Sequence, residues 1–282
     1  MKTQKWIKLA FVALAAGVIL QSCSKEEGLI PQDDLSVNPT FTVRPDFATL
    51  DTRPADVIAQ FQVVETNPVK LDAAAKAGKY ALVIGISDYA GTANDLQYCD
   101  DDAMDWKAEL QSEGYSVTSL LDGNATKAAI ESAINTLASQ SIAGNEIAFI
   151  YSGHGSKGNI ISADLYYISS SWFKTKFSAA TSTKMMFSFD ACQIGAMATD
   201  LKATGRVIAV ASNKTVYSYD GDATMKNGVF TYYQMEGFSK QNYIYFEPDC
   251  DYAITNMLAW AKKNRVRVAP SYSDSYAGYF DL

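Results

Sequence analysis

The sequence predicts an α/β fold in which a mostly parallel six-stranded sheet carries helices on both faces. Three observations lead there. Apolar runs of strand length, such as YALVIGI and NEIAFIYSG, read as strands buried on both faces. Between them apolar residues return at spacings of three and four, the period of a helix with one face on a core. The two signals alternate along the chain, which is the pattern of parallel sheets. Composition agrees with a folded chain: 48% hydrophobic and 20% charged, without a low-complexity tract. A length of 282 residues holds one ordinary domain with flanking segments.

Taken in order, residues 80–86 (YALVIGI) form the first strand. Leu96, Cys99, Ala103, Trp106 and Leu110 then share one helix face, and Gly114 ends that helix. Residues 115–121 (YSVTSLL) are the second strand, followed by a DGN turn. Ala129, Ile130, Ala133, Ile134 and Leu137 mark a second helix. The third, fourth and fifth strands are NEIAFIYSG (145–153), KMMFSFD (184–190) and RVIAVAS (206–212). Helical spacing returns at 230–238 and 252–263, and RVRVA (265–269) supplies the sixth strand. The domain so defined spans residues 76–282. Residues 23–75 contain five of the seven prolines and little sustained periodicity. They read as a tether and irregular N-terminal extension with one short strand near 58–64, or as a pro-segment covering a site downstream.

Residues 1–22 have a lysine-bearing start, MKTQKWIK, and an apolar run, LAFVALAAGVIL, too short to span a ~30 Å hydrocarbon core. The run ends in LQSC, which resembles a bacterial lipoprotein signal with Cys23 as the lipidated first residue of the mature chain. The following SKEE resembles the acidic tag of surface-exposed lipoproteins of some Gram-negative bacteria, so an outer-membrane or cell-surface location is expected. Acyl chains contribute about 0.8 kcal/mol per buried methylene, and the anchor is the expected membrane contact. A formal net charge of −7 argues against nucleic acid or an anionic membrane surface as partner. Beyond Cys23, three scattered cysteines (Cys99, Cys192 and Cys250) make no closed disulfide framework, and no CxxC or His/Cys cluster suggests zinc.

Two strand ends carry chemistry. In an alternating α/β sheet, ligands bind beyond the carboxyl ends of the strands. The third strand ends in YSGHG and the fourth in FDACQIG. His154 is the only histidine, so a thiol that needs an imidazole must use it. Cys192 follows a neighbouring strand, and an imidazole close to a thiol lowers its pKa or takes its proton. The backbone N–H groups of Gly155 and Cys192 are candidate oxyanion donors, each typically worth roughly 10²–10³ in rate.

The ordered set YALVIGISDY, LQYCDDDAMDWKAEL, IAFIYSGHG, FSFDACQIG, ASNKTVYSYDG and GVFTYY resembles the caspase-like clan of cysteine peptidases, with bacterial metacaspase-type members nearest in pattern. The resemblance runs from about Lys79 to the end and implies a caspase-like three-layer sandwich with His154 and Cys192 as a catalytic dyad. It implies further that Cys99, Asp102, Ser152 and Asp190 line the first specificity pocket. In that position caspases that cut after aspartate carry a glutamine before Ala-Cys, where this chain has Asp190. Carboxylates in a narrow cleft attract a guanidinium or ammonium and repel an anion, so cleavage after Arg or Lys is expected. TVYSYDGD (215–222) is expected to wall the pocket.

The interval SKGNIISADLYYISSSWFKTKFSAATSTKMM (156–186), between the histidine and cysteine segments, holds a single acid, Asp164, whereas calcium takes about six to eight oxygens. No metal or organic cofactor is therefore expected. Lys202, Arg206, Lys214 and Lys226 are basic positions at which such an enzyme could cut itself. The expected function is a lipid-anchored cysteine endopeptidase acting on peptides or proteins with Arg or Lys at the cleavage site, favoured as a monomer. The alternative is a catalytically silent surface lipoprotein that captures basic peptides in the same acidic cleft.

Overall fold

The computed structural model describes residues 41–64 and 67–282, all within one compact unit, Val37–Leu282. The signal segment and Cys23 lie outside the described residues. The chain opens with β1 (Thr42–Arg44), α1 (Phe47–Leu50) and α2 (Ala55–Ile58). It continues through β2 (Lys79–Gly85), α3 (Cys99–Ser112), β3 (Ser116–Leu121), α4 (Lys127–Ser139) and β4 (Glu146–Ser152). A small antiparallel sheet of β5 (Gly155–Ser156), β6 (Asn159–Ile161) and β7 (Tyr167–Ser169) leads into α5 (Ser170–Lys176). Then come β8 (Lys184–Asp190), α6 (Ala196–Asp200), β9 (Arg206–Val210), β10 (Ser218–Asp220), α7 (Val229–Gln241), α8 (Phe246–Asn264) and β11 (Ser271–Asp274).

The central sheet has the order β11-β9-β8-β4-β2-β3 and is parallel except for β11, which runs antiparallel to β9 at one edge. The period of two in a strand sends alternate side chains to opposite faces. Leu82, Ile84, Phe149, Tyr151, Phe187 and Phe189 share one core with Ile130 and Ile134 of α4, Phe173 of α5 and Met197 of α6. Each such side chain taken from water contributes roughly 1.5–3 kcal/mol. On the other face α3, α7 and α8 pack together, with Trp106 edge-on to Phe238 and Phe246. Ser188, on that face of β8, donates to the Gln234 amide oxygen of α7.

Two features of this frame position the site. Ser152 stands opposite Asp190 in the β4–β8 register, so His154 and Cys192, each two residues further on, leave the sheet side by side. Gly85, at the end of β2, lies so close to α3 that a Cβ there would sit 2.1 Å from the Cys99 carbonyl oxygen and 2.6 Å from the Ala103 Cβ. A glycine lets the first turn of α3 rest on the strand end, which brings Asp102 to the same edge as Ser152.

Three expectations change. RVRVA is not a strand: Arg265 caps α8 in the left-handed conformation (φ 59°), and residues 266–270 pair with no strand among those described. The sixth strand is β11, polar and partly exposed because it closes an edge, so no apolar run announces it. Residues 58–64 form the end of α2 and a 3-10 turn, with one bridge from Gln62 to Tyr167, instead of a strand. The strand of the N-terminal extension is β1, in the proline-flanked TVR, paired antiparallel with β10. Arg206 is buried, donating to the Leu201 and Phe177 carbonyls, and is withdrawn from any self-cleavage, whereas Lys202, Lys214 and Lys226 are exposed.

Candidate active site

The pocket at the strand ends is occupied by this chain's own Arg44. Its side chain is fully buried. Nε donates to Asp220 at 2.8 Å, Nη2 lies 2.7 Å from Asp220 and 3.1 Å from Asp102, and Nη1 lies 3.2 Å from the Asp190 carboxylate. Nη1 also donates to Ser152 Oγ at 3.1 Å and to the Asp190 carbonyl at 2.9 Å. The planar fork of an arginine presents five donors in fixed directions, against three on an ammonium, and so meets several acceptors at once.

The carboxylates are held in turn. Asp102 accepts from Ser152 Oγ at 2.5 Å and from the Gly228 N–H at 2.8 Å. Asp190 accepts from Ser218 Oγ, and from the N–H and Oγ1 of Thr231 at 3.2 and 3.1 Å. One guanidinium faces three buried carboxylates, so negative charge is in excess. Burial pushes Asp102 up to about 8 against the pull of Arg44, and pushes Asp220 up as well. Gly228 leaves the room for this cluster: a Cβ there would stand 2.4 Å from Asp190 Oδ2 and 2.5 Å from Arg44 Nη2.

Cys192 is buried, and its thiol donates to the carbonyl oxygen of Arg44 at 2.7 Å while the Ser218 N–H donates to its sulfur at 3.0 Å. Burial holds the thiol far above its ordinary pKa. His154 lies near the same backbone. Its Nε2 is 2.7 Å from the Asn94 carbonyl, which can only accept, so Nε2 carries the proton and Nδ1 is the bare nitrogen. Nδ1 is buried without a hydrogen-bond partner. Desolvation, and to a lesser degree the charge of Arg44, pull the ring down to about 4, against the Asn94 and Pro45 carbonyls, which favour the charged form. The ring packs on Tyr89 and Phe47, with centroids 4.8 and 5.3 Å away. With Pro45 and Val43 it lines a cavity of about 200 Å3. Cys192 and His154 thus both lie beside the Arg44–Pro45 stretch and make no hydrogen bond to each other.

The structure therefore brings together Asp102, Ser152, His154, Asp190 and Cys192. Gly155 lies against the Cys192 loop, where a Cβ would meet the Cys192 carbonyl at 2.2 Å. Cys99 is buried, bonded through its backbone N–H to Ser87 Oγ at 2.9 Å. Its thiol is pushed up by burial and felt electrostatically by Arg44, but the guanidinium spends its hydrogen bonds elsewhere. Cys99 is a wall of the pocket and not a ligand to the cation. Sequence reasoning missed Arg44, Asn94, Gly228 and Thr231. Ser218 and Asp220 carried a signal, since both lie in the TVYSYDGD segment expected to wall the pocket. Arg44 carried none beyond being a basic residue in a proline-rich stretch.

Comparison with known proteins places this geometry. A family model described as the caspase domain of peptidase family C14 matches residues 78–260. Among solved structures, the chain is similar to protein GSU0716 from Geobacter sulfurreducens, with a TM-score of 0.56 at 14% identity, over 73% of this chain and 97% of that one. That likeness is one of fold. No curated protein is matched by the chain.

Proposed function

Because this chain belongs to the caspase-domain family of cysteine peptidases, we propose that it is an endopeptidase cutting after Arg, and less readily after Lys, and that residues 41–47 hold it silent. The observation that carries the reading is Arg44, whose guanidinium sits among Asp102, Asp190 and Asp220 while its carbonyl oxygen touches Cys192 Sγ. A substrate would need these two contacts together, a basic side chain in the pocket and the adjoining carbonyl group beside the thiol.

On a substrate that replaces the plug, Cys192 gives its proton to Nδ1 of His154, and the thiolate attacks the carbonyl carbon after the basic residue. The C–S bond forms as the carbonyl π electrons move to oxygen, which the N–H groups of Gly155 and Cys192 hold. His154 then delivers the proton to the departing amine as the C–N bond breaks. Water, deprotonated by the same ring, hydrolyses the thioester and returns the thiol. The Asn94 carbonyl keeps the proton on Nε2, so Nδ1 stays free to cycle.

The assay takes the chain from residue 24 onward with Arg44→Ala, on fluorogenic peptides ending in Arg, Lys, Asp or Ala, beside a Cys192→Ala control. Turnover of Arg above Lys, and none after Asp, is expected. Turnover only after Asp keeps the dyad and sinks the acidic pocket. Silence on every peptide favours the alternative, a binder of basic peptides. We also propose that the chain is anchored outside the cytoplasm through Cys23, on the strength of the LQSC signal. Incorporation of labelled palmitate that Cys23→Ala abolishes is the expected result.

A further inference from the structure

Two buried tyrosines grip the main chain of the histidine. On the proposed reading of His154 as the proton carrier for Cys192, we infer that Tyr89 and Tyr151 are positioning residues for it. His154 needs such a holder. The Gly153 N–H makes the last bond across to β8, to the Asp190 carbonyl at 3.2 Å, so His154 has left the central sheet. Gly153 and Gly155 stand on either side of it and leave that stretch of chain its widest freedom.

The Tyr89 hydroxyl accepts the His154 N–H at 2.8 Å, and the Tyr151 hydroxyl donates to the His154 carbonyl at 2.7 Å. Side chains therefore hold both main-chain groups of this one residue. Tyr151 Oη also lies 2.9 Å from the Ile161 carbonyl and accepts from the Ile161 N–H at 3.2 Å, which ties in β6. The two hydroxyls stand 3.4 Å apart, a long contact that closes the ring around the His154 backbone. Burial pushes both phenols well above their ordinary values, so Tyr151 remains a donor. Gly153 leaves the room for the grip, because a Cβ there would stand 2.5 Å from each hydroxyl oxygen.

The ring of His154 is referred to the same frame. Tyr89 packs on the imidazole, with centroids 4.8 Å apart, and its loop also supplies the Asn94 carbonyl that holds Nε2. That loop is fixed in turn: the Ser87 and Asp88 N–H groups donate to Asp122 Oδ1, and the Tyr89 N–H donates to Asp95 Oδ1. A displacement of about 1 Å at a reacting group can cost roughly 10²-fold in rate. Neither hydroxyl bonds to the carboxylates around Arg44, so the grip acts on the proton carrier and leaves the basic pocket alone.

The test compares Tyr89→Phe, Tyr151→Phe and the double variant in the full chain carrying Arg44→Ala. Each change removes a hydroxyl and keeps the ring. On an Arg peptide each single variant should lose at least about tenfold in kcat, with KM changed by less than about twofold. The double variant should lose little beyond the larger single loss, because both hydroxyls hold one residue. Losses that multiply, a KM that moves with kcat, or unchanged kinetics beside a lower melting temperature each overturn the positioning role. Tyr151→Phe carries the kinetic comparison if Tyr89→Phe does not fold. A second readout needs no turnover. His154 is the only histidine, so isotopic labelling of histidine gives a single main-chain amide signal by NMR in the full chain carrying Cys192→Ala. Its exchange with solvent should quicken at least about tenfold in Tyr89→Phe, as a buried N–H loses its acceptor. Unchanged exchange overturns the grip. Silence of the Arg44→Ala chain itself on every peptide defeats the peptidase reading, and the exchange result then decides the grip alone.

Discussion

The carbonyl oxygen of Arg44 lies 2.7 Å from Cys192 Sγ, and the other end of the same residue meets Asp220 Oδ1 at 2.7 Å. One residue of the N-terminal extension therefore blocks the thiol and neutralises part of the pocket together. Both effects have measurable consequences.

Arg44→Ala should raise kcat/KM on Arg peptides by at least about tenfold, because the plug loses its anchor. It should also destabilise the fold. Removing one partner of a buried ion cluster typically costs about 3–5 kcal/mol, since the carboxylates left behind are desolvated and unpaired. Peptide hydrolysis and urea unfolding of the same preparation check the two halves. A variant as stable and as silent as the parent would contradict the role given to Arg44.

Pro45 follows the arginine in the plug. Its ring encumbers the nitrogen that would have to depart, and that nitrogen carries no hydrogen. On the proposed function, a plug ending in Arg-Pro fills the pocket yet resists the cut. Pro45→Ala should convert the plug into a substrate, giving a new N-terminus at residue 45 by mass spectrometry. Adding Cys192→Ala should abolish that cut.

Gly228→Ala tests the room in the pocket. Gly228 has φ −56° and ψ 141°, which alanine adopts without strain, so only the added methyl matters. That methyl would press on Asp190 and on the bound guanidinium. In the Arg44→Ala background, KM for Arg peptides should rise by more than about tenfold, and the melting temperature should fall as the buried Asp190 and Asp102 carboxylates give way to the methyl. An unaltered KM would place the guanidinium elsewhere.

His154 gives the fold a pH dependence of defined sign. Its folded value, about 4, lies below the ordinary 6.5, so between those values the unfolded chain binds the extra proton. The stabilisation from the neutral ring is complete above about pH 6.5 and is lost as the pH falls towards 4, up to about 3 kcal/mol. Asp102, raised to about 8, acts the other way: its contribution declines as the pH rises from about 4 to 8. Comparison of the parent with His154→Gln isolates the histidine. The stability difference between them should change by about 3 kcal/mol between pH 7 and pH 4, and a constant difference would contradict the assignment.

Much of this was legible in the chain. β2, β4, β8 and β9 are announced by apolar runs because a central parallel strand is buried on both faces and must be apolar throughout. α3 and α4 are announced by their spacing, since one face of each meets the sheet. β11 escaped because an edge strand has one neighbour and needs no apolar run, while RVRVA has valines without a ladder to join. In the site, His154 and Cys192 were legible because each lies just beyond a strand end, where a local pattern fixes its place, whereas Ser152, Asp190 and Asp102 were legible through the resemblance to the caspase-like clan. Asn94 was not, since it acts through a carbonyl that every residue owns.

The sequence by itself determined the layered α/β fold and the two strand ends that converge, and its resemblance to the caspase-like clan implied the acidic character of the pocket between them. The first two follow from local periodicity and from the residue types at strand ends, which act over a few positions. Only the tertiary structure decided what fills the pocket. Arg44 stands 148 residues before Cys192, and its partners Asp102, Asp190 and Asp220 come from three separate elements or their ends. A three-residue strand has too little period to be read alone. It acquires a place from the open edge of β10 and the three carboxylates that receive it, all of which exist only once the sheet has assembled.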